Sequence, residues 1–263
     1  MTLLKEILAH KALEVRTRSM HQSMDQFVPS RDDIRDFAGA LAQPGLQVIA
    51  EVKQKSPSMG IIRQDLRPAD IARMYQDNGA AAISVLTDKK YFGGELQYLQ
   101  EVRDAVDLPV LRKDFIIDEY QIYESYHAGA DALLLIADAL AADQLEYLYQ
   151  LSVSLGLHVL VESHSTGALN STKRIKPRLA GLNSRDLKTM QVDLEGLLTK
   201  RYLLPADSIH IAESGITGPA DLRRVAQAGF DAALIGTTLL RNGNPGENLQ
   251  YFLAGIRSME TPE

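Results

Sequence analysis

Eight short apolar runs recur along the chain, and five of them end in polar or charged residues that a buried strand ordinarily avoids. They are VIAEVK (Val48–Lys53), ISVL (Ile83–Leu86), PVLRK (Pro109–Lys113), ALLLI (Ala132–Ile136), HVLVE (His158–Glu162), LAGLN (Leu179–Asn183), IHIAES (Ile209–Ser214) and AALIG (Ala232–Gly236). Runs that are apolar at nearly every position mark strands buried on both faces, as parallel sheets require. Helix-like stretches separate them, as in IARMYQDNGAAAISVL, where Ile71, Met74 and Tyr75 share a helical face. A helix-ending glycine follows at Gly79, and the same punctuation returns in HAGADALLLI and QAGFDAALIG. Eight such units predict a closed (β/α)8 barrel. The competing architecture is an open, doubly wound sheet. After the first strand, however, comes KQKSPSMG rather than a glycine-rich dinucleotide fingerprint. In a barrel the chemistry sits at the C-terminal ends of the strands, where Glu51, Lys53, Lys113, Glu162, Asn183 and Glu213 fall.

A length of 263 residues suits a single barrel domain over 1–263, with 1–46 as an N-terminal helical extension. In that extension Leu4, Ile7, Leu8 and Ala12 fall at helical spacing, and Asp36–Leu41 reads as a second short helix. A barrel does not need this segment, which caps it, borders the active site or covers the floor. The N-terminus is charged within five residues and lacks a secretory apolar region. The longest apolar stretch, Ala132–Ala142, is interrupted by Asp138 and too short for a bilayer. A cytoplasmic enzyme without membrane contact is expected. The net charge of −6, with no basic stripe, argues against nucleic acid as a partner. With no cysteine and no paired histidine spacing among six histidines, no metal site is assigned.

Glu51 and Lys53 are two apart on a strand, so they share a face with Ile49. A buried ion pair is a poor stabiliser, since desolvating each ion costs several kcal/mol. At a strand end the pair points to chemistry. Of Arg112 and Lys113 only one faces inward, and periodicity does not choose: Leu111 supports Lys113 and Val110 supports Arg112. Carboxylates at Glu51, Glu162 and Glu213 converging with two lysines would form an acid–base set. Asn183 and Arg185, two apart in GLNSRDL, lie beside them. A second signal follows the last two strands. Ser214-Gly215 and Gly236-Thr237 are small residues whose backbone can approach a phosphate, each ahead of a helix start. The loop after the first strand carries Lys55, Ser56 and Ser58, which suit an anion contact, a moving lid or an ordinary solvated loop. Phe92, Phe115 and Leu134 follow or close the second to fourth strands, where they either line an apolar slot for a ring or serve routine packing.

These residues, with the runs IAEVKQKSPSMG, ISVLTDKKYFGGELQYL, PVLRKDFIIDEYQIYESYHAGADALLLI, LVESH, GLNSRDLKT, AESGI and ALIG, resemble indole-3-glycerol phosphate synthase over nearly the full length. The resemblance implies a cofactor-independent carbon–carbon lyase of tryptophan biosynthesis. Its substrate would be 1-(2-carboxyphenylamino)-1-deoxyribulose 5-phosphate, and its products indole-3-glycerol phosphate, carbon dioxide and water. It implies catalytic roles for Glu51, Lys53, Lys113, Glu162, Asn183 and Glu213. It places substrate at Ser56, Phe92, Phe115, Leu134 and Arg185, with the phosphate near Lys53, Ser214, Gly215, Gly236 and Thr237. No cofactor or metal is implied. The expected partner is one phosphorylated small molecule, and the chain is expected to be a monomer or weak homodimer.

The chain also departs from that pattern. Ser163 stands where the family has an apolar residue, and Ser184 replaces the second Asn of its NNR motif. Ser165–Leu179 lacks the acidic helix start, and Pro177 should end that helix early. These changes are the support for an alternative reading, a catalytically silent or altered-specificity phosphate-binding paralogue. A phosphoribosylanthranilate isomerase-like barrel is a further rival, but it has no evident use for two lysines and three glutamates at the mouth.

Overall fold

All eight apolar runs are strands in the computed structural model, which describes residues 2–27, 31–186 and 188–257. Leu187, residues 28–30 of the extension and both chain ends lie outside the described residues. The strands are β1 (Gln47–Val52), β2 (Ala82–Leu86), β3 (Val110–Lys113), β4 (Ala132–Ile136), β5 (His158–Ser163), β6 (Leu179–Asn183), β7 (Ile209–Glu213) and β8 (Ala232–Ile235). They pair in parallel in sequence order, and β1 closes on β8 with Ile49 opposite Leu234. The closure excludes the open sheet.

Strand parity sorts the side chains. Val48, Ala50, Val52, Val110, Ala212 and Ala233 face outward into a shell shared with Ile71, Tyr75 and Leu222 of the surrounding helices. Ile49, Leu111, Leu160, Leu179, Ile211 and Leu234 face inward and fill the barrel. Two residues further along the same six strands, the inward positions read Glu51, Lys113, Glu162, Gly181, Glu213 and Gly236. Because the side-chain period of a strand is two, this polar layer sits directly above the apolar one. The interior is therefore apolar below and charged at the mouth.

The extension serves both ends. Helix α2 (Phe37–Leu41) is capped by Asp36, whose Oδ1 accepts from Gly39 N at 2.8 Å. Its Phe37, Ala38 and Leu41 are buried in the interior cluster with Ile49, Ala82 and Leu111, plugging the floor. Asp36 also lies 3.5 Å from His158, the first residue of β5. Helix α1 (Leu3–His21) instead reaches the mouth side. Its buried stripe is Leu4, Ile7, Lys11 and Val15, whereas Ala12, expected on that face, is exposed. Lys11 takes the inward place because carboxylates wait there. Its ammonium lies 2.9 Å from Asp88 and 3.0 Å from Asp114, in the loops after β2 and β3. Burial pulls the Lys11 pKa down, but Asp114 and Asp88 outweigh this and hold it above the ordinary lysine value.

Candidate active site

One cavity of about 550 Å³ opens at the C-terminal ends of the strands, within the usual range for small-ligand sites. Its wall includes every residue given a catalytic, substrate or phosphate role by the resemblance, from Glu51 on β1 to Thr237 after β8. The choice left open between Arg112 and Lys113 is resolved by parity. Lys113 lines the cavity. Arg112 points outward and is fully buried, bonded to Glu124 (2.8 Å), Asp114 (3.1 Å) and Ser125 (3.0 Å). Asp114 is thus held by Lys11 and Arg112 together, and its pKa lies below the ordinary carboxylate range despite its burial. This fixes the chain between Lys113 and Phe115.

The charged layer at the mouth is built around Lys113. Its Nζ donates to Glu162 Oε2 at 2.9 Å and stands 3.3 Å from Glu213 Oε2. Burial lowers the Lys113 pKa, but Glu162, Glu213 and Glu51 overcome it and raise it above the free-lysine value, so the group is an ammonium. Glu162 is buried, which favours its neutral form. Lys113 and a 3.0 Å hydrogen bond from Asn183 Nδ2 outweigh this and lower its pKa. Glu213 goes the other way. Burial and the neighbouring Glu162 raise its pKa well above the ordinary value, and Lys113 only partly opposes them. A second ion pair joins Lys53 Nζ to Glu51 Oε1 at 2.5 Å.

The β6 loop supplies the next contacts. Asn183 Oδ1 accepts from Arg185 N at 2.9 Å, and Arg185 Nη1 donates to Met190 O at 3.1 Å. Together with an isolated bridge between Arg185 and Val192, these bonds fold the loop back so that Met190 and Val192 join the wall. His164 Nδ1 lies 2.8 Å from the carbonyl of Asn183 and steadies the same turn. Of the two substituted motif residues, Ser163 finds a side-chain partner, whereas the buried Ser184 hydroxyl has none among the described residues. Ser163 Oγ is 2.8 Å from Thr172 Oγ1 in the following helix. Ser184 keeps its backbone bonds, N to Glu213 O and O from Asp193 N, each 2.9 Å. That helix, Thr166–Ile175, starts on a Ser165 cap that accepts from Ala168 N. It stops at Lys176 in the left-handed conformation, just ahead of Pro177.

On the other wall, Ser214 and Gly215 both have positive φ, 66° and 75°. A non-glycine residue in this region is uncommon. Gly236 and Thr237 follow β8 beside it on the same wall. Phe92 and Phe115 stand with centroids 6.1 Å apart and planes tilted by 38°, with Leu134 on the neighbouring β4. The loop after β1 forms a small hairpin, Lys55–Ser56 against Gly60–Ile61, which brings Ser56 and Met59 over the cavity. Sequence reasoning missed Arg241, Met190 and Ile136 in the wall. Arg241 had a legible signal, a cation four residues beyond Thr237; Met190 had none, because a loop reversal places it. Among the described residues no cluster of histidine, aspartate and glutamate has the arrangement of a metal-ligand set.

The family model for indole-3-glycerol phosphate synthase matches residues 4–252. The chain belongs to the indole-3-glycerol phosphate synthase family. It is 46% identical over 256 residues to the indole-3-glycerol phosphate synthase of Geobacillus thermodenitrificans, covering 96% of this chain and 97% of that one. It is 43% identical over 260 residues to that of Laribacter hongkongensis, covering 96% and 99%. Indole-3-glycerol phosphate synthase from Bacteroides thetaiotaomicron is 41% identical over 258 residues, with 97% and 99% covered. Among solved structures, a 3-hexulose-6-phosphate synthase from Salmonella typhimurium superposes with a TM-score of 0.65 at 9% identity, covering 81% of this chain and 99% of that one. A thiamine phosphate pyrophosphorylase from Pyrococcus furiosus gives 0.59 at 14%, covering 82% and 98%. At those identities the likeness shows the barrel alone.

Proposed function

We propose that this chain catalyses the decarboxylating ring closure of 1-(2-carboxyphenylamino)-1-deoxyribulose 5-phosphate to indole-3-glycerol phosphate, carbon dioxide and water. The observation that carries the assignment of roles is the Lys113 ammonium, held 2.9 Å from Glu162 at the centre of the cavity. The substrate phosphate is taken up by Ser214, Gly215, Gly236 and Thr237 with Lys53 nearby. Turns of successive backbone N–H groups form anion-binding concavities of this kind. The aryl ring lies against Phe92, Phe115 and Leu134, and Ser56 and Arg185 complete the substrate contacts.

In the first step the aryl carbon bearing the carboxylate attacks the ketone carbon. Lys113 donates a proton to the oxygen that becomes a hydroxyl. Carbon dioxide then leaves, and the electron pair of its bond restores the aromatic ring. The hydroxyl departs as water on protonation by Lys53, while Glu51 or Glu162 removes the ring proton. Asn183 holds Glu162, and Glu213 sets the charge around Lys113. Each positioned acid or base contributes roughly 10²–10⁴ in rate.

The silent-paralogue alternative has only the altered 163–184 stretch in its favour. There Ser163 is paired with Thr172, and Asn183 still bonds Glu162. In the same reading the chain acts as one barrel domain, a monomer or weak homodimer in the cytoplasm. Among the described residues no helix is long and apolar enough to cross a membrane. The test is direct: purified protein is given the carboxyphenylamino substrate and indole fluorescence is followed. Turnover supports the reading; binding of substrate without product overturns it.

A further inference from the structure

On six of the eight strands the inward positions at the barrel mouth are four charged residues, Glu51, Lys113, Glu162 and Glu213, and two glycines, Gly181 and Gly236. A glycine inside a strand weakens it and marks a place where another group approaches closely. Gly181 is the middle residue of β6, between Leu179 and Asn183 on the same inward face. It is not among the glycines with positive φ, so its backbone conformation does not call for glycine. The space does. A Cβ built on Gly181 overlaps Glu213 Oε1 and lies 3.5 Å from Glu213 Cδ and 3.2 Å from Leu160 Cδ1.

The register explains why the carboxyl is there. Glu213 on β7 pairs with Asn183, while Gly181 pairs with Glu162 of β5. To reach Lys113, Glu213 has to lean across β6 at the level of Gly181, toward Glu162. The side chain is buried, and it is held by the 3.3 Å ion pair with Lys113 and by the neighbouring Glu162 carboxyl.

We propose that Gly181 is a positioning residue of the active site: its missing side chain is the slot that lets the Glu213 carboxyl cross β6 and stand against the Lys113 ammonium. Gly236 repeats the device on the other side, where an added Cβ would overlap Glu51 Oε1. The proposal rests on the reading that Glu213 belongs to the acid–base group.

The experiment is a cycle of Gly181→Ala, Glu213→Ala and the double variant, read by kcat, KM, the pH profile of kcat and thermal unfolding. Gly181→Ala is expected to lower kcat by about tenfold or more with KM changed by less than about threefold, and to shift the pH profile. In the Glu213→Ala background the same substitution is expected to change kcat by less than about twofold and to leave Tm unaltered. If Gly181→Ala does not fold but the double variant does, the slot is equally supported. Equal losses in both backgrounds, or a Gly181→Ala enzyme with unchanged kcat and pH profile, overturn the proposal. Full activity of Glu213→Ala overturns it differently, by removing Glu213 from the acid–base group.

Discussion

Glu162 and Glu213 face the same ammonium, at 2.9 and 3.3 Å, yet their proton affinities are driven apart. Glu162 has the hydrogen bonds, from Lys113 and from Asn183, and is held ionised. Glu213 has burial and a negative neighbour, and is held toward its neutral form. Two carboxylates around one cation thus differ in how readily each takes up a proton.

This asymmetry fixes the sign of a stability effect. The folded-state pKa of Glu213 is raised above its ordinary value of 4.5. The folded protein therefore binds more protons than the unfolded chain between those two values, and stability falls as pH rises through that interval. Glu162, with its lowered pKa, works the opposite way, and its contribution disappears as pH falls through its folded value. Glu213→Gln removes the first effect and keeps the shape of the neutral acid. Urea unfolding from about pH 5 to about pH 8 should show a variant that gains on the parent as pH rises. Parallel curves would show that Glu213 titrates normally.

Lys113→Ala is expected to lower kcat by at least ~10² while a substrate analogue still binds, because the phosphate and aryl contacts lie elsewhere in the cavity. The decisive readout is single-turnover indole fluorescence beside a binding titration. A kcat within a few-fold of the parent would remove Lys113 from the role of proton donor to the ketone oxygen.

The barrel and the charged layer at its mouth were legible because both follow from a period of two: once Ile49 faces inward, so does Glu51. That rule left Arg112 and Lys113 tied, since both have an apolar residue two positions back. The tie breaks through α1 and the helix after β3, which bring Lys11 and Glu124 to the outer side, where Arg112 and Asp114 complete a buried ion cluster. No local pattern announces such a cluster. Ala12 is apolar enough to face inward, yet Lys11 lies there because, besides Glu14 on its own helix, its carboxylate partners Asp88 and Asp114 come from loops distant in sequence. Met190 was invisible for the same reason, since its place depends on Arg185 turning back to bond its carbonyl.

That ion cluster predicts a large effect far from the substrate. Lys11 is 1% exposed and neutralises Asp88 and Asp114 at once. Lys11→Met keeps the bulk of the stem but leaves buried Asp88 without its cation, while Asp114 retains Arg112. Breaking a buried pair in this way costs about 3–5 kcal/mol. Equilibrium unfolding in urea should show a loss of that size. The residual folded enzyme should bind substrate more weakly, since Asp114 precedes Phe115 of the aryl wall. A variant within about 0.5 kcal/mol of the parent would mean that α1 is held by its apolar stripe alone.

The Ser163–Thr172 contact makes a prediction about the divergent stretch itself. Both hydroxyls are buried and 2.8 Å apart, and Thr172 Oγ1 also donates to Ala168 O at 3.1 Å. Ser163→Val should therefore leave Thr172 satisfied through its own helix and cost about 1 kcal/mol, the net worth of one hydrogen bond. Thr172→Val strands the Ser163 hydroxyl in an apolar surround and should cost more, about 1–3 kcal/mol. The double variant replaces both polar groups with methyls and should recover most of the loss. The coupling expected from urea unfolding is about 0.5–1.5 kcal/mol. Strict additivity would show that the two hydroxyls are neighbours without a bond. In every variant of the cycle kcat should stay within about twofold of the parent, because the inward face of β5 at Glu162 is untouched.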